Sequence, residues 1–166
     1  MYQKSDHVLY GIHGICKITD VEMHVVDRKQ VSYFVLEPLD QAGARYLIPT
    51  HNEAALAKLR PVITRIALEE MLASDSVRQD CWIDDENLRK QRYRELITSG
   101  DRLALLRMIK SLHIHKELQA AAGRKFHLCD ENFLRDAERL LNGEFSFVLG
   151  MDRASVTDYV LTALKR

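Results

Sequence analysis

The chain has 166 residues, 46% of them hydrophobic and 29% charged, with a formal net charge of zero. This is the composition of a folded protein, which excludes a disordered or fibrous chain, and the length suits one domain or two small ones. No apolar run approaches the roughly 18 residues that a membrane span requires. The start, Met1-Tyr2-Gln3-Lys4-Ser5-Asp6, has no apolar signal core.

Cys16, Cys81 and Cys129 are scattered and odd in number, so they form neither a disulfide framework nor a C-x-x-C pair. Reduced thiols in the cytoplasm are the expectation. The zero net charge conceals three blocks. Residues 1–86 carry 9 Lys/Arg against 14 Asp/Glu, a net of −5; residues 87–125 carry 10 against 3, a net of +7; residues 126–166 carry 5 against 7, a net of −2. The middle third is a basic block, and such blocks are candidates for nucleic-acid contact.

The first fifty residues read as β structure. Residues 7–10 make a short strand, and Gly11-Ile12-His13-Gly14 a glycine-marked turn. Residues 15–21 alternate apolar and polar side chains with the period of a half-buried strand. A turn at 25–30 leads to the β-branched and aromatic run 31–36, and a second turn at 40–43 leads to a strand at 45–49 closed by Pro49. Four or five short strands with tight turns predict a small, bent antiparallel barrel over residues 1–53.

Beyond Pro49 the period becomes helical. Residues 54–59 read as a short helix broken by Pro61, and residues 64–72 as an amphipathic helix. Residues 73–80 are polar and turn-like, the expected loop between modules. Helices are then predicted near 85–98, 101–122, 130–142, 144–149 and 153–165. Ser99-Gly100-Asp101, Asn142-Gly143 and Gly150-Met151-Asp152 each offer a glycine stop followed by a new start. The expected class is α+β, a β domain at 1–53 followed by an all-α domain at 54–166, of which residues 54–80 connect the two.

Catalytic signatures are missing. There is no nucleophile elbow, Walker loop, dinucleotide fingerprint or H-E-x-x-H. His113 and His115 project about 200° apart on a helix and cannot share an ion. Asp84-Asp85-Glu86 reads as the acidic first turn of a helix, favoured by the macrodipole, rather than as catalytic carboxylates. The expectation is a protein that is not an enzyme and holds no metal and no cofactor.

What remains points to binding. Arg89, Lys90, Arg92 and Arg94 cluster on one predicted helix around Tyr93, suited to neutralising phosphates, and Arg102, Arg107, Lys110, Lys116, Arg124 and Lys125 follow. Trp82, the only tryptophan, precedes that helix. It is either a core plug or an aromatic wedge for a distorted DNA step.

Asp6-x-Val8-Leu9-Tyr10-x-x-His13-Gly14, Tyr33-Phe34-Val35-Leu36 and Ile48-Pro49-x-x-Asn52 resemble, in order, the opening of the CarD/CdnL family of bacterial transcription regulators. Arg92-Tyr93, Ser99-Gly100-Asp101 and residues 143–150 are similar to its later segments. The resemblance implies a Tudor-like N-terminal domain that binds the β subunit of RNA polymerase, related to a module of the transcription-repair coupling factor. It also implies a helical domain at the upstream edge of the promoter bubble, with a tryptophan wedged into the minor groove to stabilise the open complex. One departure stands out: nine residues, among them Asp84, Asp85 and Glu86, separate Trp82 from Arg92-Tyr93, whereas the family keeps its tryptophan close to the basic stretch.

The expected polymerase contacts are Arg45, Tyr46, Leu47 and Ile48, at the edge of the β domain. The expected DNA contacts are Trp82, Arg89, Lys90, Arg92 and Arg94, with promoter DNA held largely without regard to sequence, by a monomer. The alternative is a Tudor-like interaction module whose helical domain does not bind DNA.

Overall fold

Strand-forming residues fill the first third of the chain, and they pair as their alternation predicts. The computed structural model describes residues Met1–Arg166, which divide into two units, Met1–Val62 and Ile63–Arg166.

In the first unit, β1 (His7–Tyr10), β2 (Ile15–Val26), β3 (Lys29–Pro38), β4 (Tyr46–Pro49) and β5 (Leu59–Pro61) form one antiparallel sheet in the order β4-β3-β2-β1-β5. The β2–β3 hairpin closes on Asp27 and Arg28, whose φ values of 49° and 63° are those of the two-residue turn that matches strand twist. Thr19 is the extra residue of a bulge, since Ile18 pairs with Leu36 and Asp20 with Val35. Val8, Cys16, Ile18, Phe34, Leu36, Ile48 and Leu59 make the core. Burial there pushes the Cys16 thiol pKa up to about 12, which keeps it an inert apolar side chain.

Two expectations are corrected here. The sheet is open, with β4 and β5 as its edges, and does not close into a barrel. The unit also runs to Val62 rather than ending at residue 53. The helix predicted at 54–59 stops after one turn, α1 (Glu53–Leu56), and the chain then returns as β5 to pair with β1. Leu59 looked helical by spacing, but its burial comes from the sheet, opposite Tyr10. Pro61 is tolerated because β5 is an edge strand, where a missing N–H costs no ladder bond.

The second unit is helical: α2 (Arg65–Ala73), a 3-10 turn at Asp75–Arg78, α3 (Glu86–Ser99), α4 (Arg102–Ala121), α5 (Leu128–Leu149) and α6 (Arg153–Lys165). The legible caps behave as read. Asp101 and Asp152 each accept a backbone N–H at a helix start, and Gly100 ends α3 in the left-handed region; Asp85, expected in the first turn of α3, caps it instead.

The stretch 73–80 is not a linker between the units. Val77 is fully buried, and the 3-10 turn packs into the helical core. Asn142-Gly143 does not end a helix either, and α5 runs through it. Phe133, Leu134, Ala137, Leu141, Phe145 and Leu149 form one buried stripe that spans Gly143, and packing of that stripe outweighs the propensity cost of about 1 kcal/mol for an internal glycine. A Cβ at Gly143 would meet the Arg153 guanidinium at 3.5 Å.

Candidate functional site

On β4 the alternation of a strand separates the four expected contact residues. Ile48 is only 4% exposed and belongs to the core, so it cannot present its side chain to a partner. Tyr46 is half-buried, its ring 5.5 Å from Tyr10 and 4.3 Å from His13. Leu47 points the other way and is 43% exposed. Arg45, just before the strand, donates to Glu22 at 2.7 Å on an exposed surface. A partner strand laid against this edge would meet the side chains of Arg45 and Leu47 and the free backbone groups of β4.

In the helical unit the basic block is largely consumed by the fold. Arg89 is 3% exposed and makes a two-pronged contact with Asp130, both N–O distances being 2.9 Å. It also donates to the Ile83 carbonyl at 2.9 Å. The structure gives Arg89 no exposed guanidinium for the expected phosphate role, because its cation is held against a fully buried carboxylate.

Of the ten cations at 87–125, Arg89, Lys90, Arg92, Arg102 and Lys116 are ion-paired, with Asp130, Glu86, Glu95, Glu144 and Glu131. Arg107 and Lys110 donate to the backbone carbonyls of Ser76 and Arg78. Arg94, Arg124 and Lys125 are exposed and make no ion pair. The Lys90 and Arg92 pairs lie along α3 at half-exposed to exposed positions, where such pairs are weak and exchange readily for a phosphate.

Trp82 is neither a deep plug nor a free wedge. Its ring stacks on His115, with centroids 3.6 Å apart and planes 12° from parallel, and the Arg89 guanidinium carbon lies 4.3 Å from its centroid. The indole N–H donates to Asp84 at 3.1 Å. The backbone on either side is also fixed. Cys81 N–H donates to Ser111 Oγ, Ser111 Oγ donates to Asp80, and Asp80 accepts the Trp82 N–H. Tyr93 OH donates to the Cys81 carbonyl.

Asp84, Asp85 and Glu86 thus serve structure. Asp84 holds the indole, Asp85 caps α3 and Glu86 pairs with Lys90. His113 and His115 face different partners, Glu138 and Trp82. The members that the sequence reading missed are Asp130, Ser111 and His115. Asp130 had a sufficient local explanation in the acidic first turn of α5, and nothing in the sequence links it to Arg89, 41 positions away.

Burial holds the His115 pKa below the ordinary histidine range, against Asp80 and Asp84, which raise it. The unfolded chain therefore takes up a proton first. The stability that His115 contributes is complete above its unfolded pKa of about 6.5 and is lost as pH falls through the lower folded value. Thermal unfolding at about pH 7.5 and about pH 5.5 is expected to show a fall in Tm that is smaller in His115→Phe, which keeps a stacked ring but cannot titrate. Equal falls in the two proteins would remove His115 from the account.

Residues 2–63 match the family model of the CarD-like/TRCF RID domain, and the match ends one residue beyond the first structural unit. The N-terminal unit is a CarD-like RNA polymerase-interacting domain. The match covers well under half of the chain and says nothing of the helical unit. No curated protein matches the chain. No helix is long and apolar enough to cross a membrane.

Proposed function

We propose that the chain is a non-enzymatic transcription regulator that holds the RNA polymerase β subunit through its CarD-like unit and promoter DNA, at the upstream edge of the bubble, through its helical unit. The match of residues 2–63 carries this reading. A Tudor-like character for the open five-stranded sheet and a monomeric, cofactor-free protein belong to the same proposal.

DNA contact would rest on Arg94, Arg124 and Lys125, with Lys90 and Arg92 released from their surface pairs. These are phosphate-type contacts, so the chain alone would bind duplexes weakly and without regard to sequence, and polymerase would supply the position. Trp82 enters as a ring already held in place, suited to a step that is distorted beforehand. Wedging into an intact step costs a few kcal/mol of unstacking.

The internal pairing of half the basic block favours a second reading, in which the helical unit binds only protein. Titration of the full chain against duplex DNA over a range of salt concentrations separates the two. Arg94→Glu is expected to weaken binding and to reduce the salt slope by about one. Trp82→Ala is expected to leave duplex binding nearly unchanged while shortening the lifetime of open promoter complexes. Absence of salt-dependent binding by the wild type would establish the second reading.

A further inference from the structure

A cavity of about 290 Å³ opens on the helical unit between the 3-10 turn, α4 and α6. Its apolar part is Ile114, Leu161 and Leu164, and its polar part is Arg78, Lys110, His113, Lys165 and Arg166 with one carboxylate, Glu117. Among these, Lys165 is engaged by Glu117, an exposed pair. Lys110 spends one donor on the Arg78 carbonyl and has no carboxylate partner. Arg78 pairs through one terminal nitrogen with Asp75, whose carboxylate is fully exposed and so competes weakly.

The Arg78 Nε is buried and has no acceptor. A buried donor left unpaired costs free energy, and the two terminal nitrogens of Arg78 are the part of the guanidinium left for a ligand. Ile114 is 42% exposed on α4, an apolar side chain turned to the opening rather than to the core. The combination is an apolar floor and a mouth in which the cations of Arg78, Lys110, Lys165 and Arg166 outnumber the single carboxylate of Glu117. The volume lies at the lower end of the range for small-molecule sites, too small for a nucleotide-sized cofactor.

We infer that this cavity binds a small aliphatic anion, its chain on Ile114, Leu161 and Leu164 and its anionic head on Arg78 and Lys110. The site is independent of the polymerase and DNA surfaces proposed above. None of its residues lies on β4, and none is Trp82, Arg94 or a residue of α3.

Octanoate is the probe, titrated into the full chain and followed by amide chemical shifts. Saturable shifts are expected at α4, at α6 and around Arg78, and octanol, which has the same chain length and no charge, is expected to bind at least about tenfold more weakly. Ile114→Glu, at an exposed position, is expected to lower octanoate affinity by at least about tenfold with an unchanged melting temperature. Lys110→Gln is expected to narrow the gap between octanoate and octanol. Non-saturable shifts, shifts centred elsewhere, equal affinity for octanoate and octanol, or full affinity in Ile114→Glu would each overturn the assignment.

Discussion

Replacing Arg89 by methionine is expected to cost the helical unit about 3–5 kcal/mol, because it leaves the Asp130 carboxylate buried without its counter-charge. The same change unseats a donor to the Ile83 carbonyl and the cation beside Trp82, so α3, α5 and the tryptophan loop all lose a common anchor. Equilibrium unfolding in urea measures the effect. Arg94→Met, at an exposed and unpaired position on the same helix, is the control and is expected to stay within about 0.5 kcal/mol of the parent. An Arg89→Met protein that unfolds like the parent but loses DNA affinity would return Arg89 to a phosphate-binding role and contradict the description of the site.

The second large effect is expected on polymerase capture. Leu47→Asp puts a charge on the outward face of the β4 edge, where the parent presents an apolar side chain 43% exposed. Burying an unpaired carboxylate against a partner costs several kcal/mol, so affinity for polymerase should fall by at least about a hundredfold. The sheet itself should persist, since the core lies on the other face with Phe34, Leu36 and Ile48. Arg45→Glu, which sets two carboxylates together at Glu22, should have a smaller effect in the same direction. Ile48→Asp is no test of the interface, because it would unfold the unit that carries it.

The sequence reading and the structure agree where local chemistry decides the outcome. Strand alternation, the turn around Asp27-Arg28 and the aspartate caps of α4 and α6 each depend on a few adjacent residues. Agreement ends where tertiary contacts decide. The spacing of residues 54–59 is helical, yet β1 offers an edge, and the chain finishes there as β5. Asn142-Gly143 carries a stop signal, yet the buried stripe of α5 continues through it.

The site shows the same limit more sharply. A run of arginines reads as a phosphate surface, but which of them find buried carboxylates depends on Asp130 and Glu144, 41 and 42 positions away in the chain. Trp82 could be read as plug or wedge, since its environment is set by His115 and Arg89 together. No spacing rule joins those two residues. The alternation of β4 did contain one distinction that was legible in principle. Tyr46 and Ile48 share a face and Leu47 takes the other, so Ile48 could have been assigned to the core from period 2 alone.

Engagement of RNA polymerase by the CarD-like unit is measured by binding of the full chain to purified core RNA polymerase and to its isolated β subunit in surface plasmon resonance. Saturable binding to both is expected, retained in Arg94→Glu and Trp82→Ala and lost in Leu47→Asp. Failure to bind the β subunit, or binding that Leu47→Asp leaves untouched in a folded protein, would contradict that engagement.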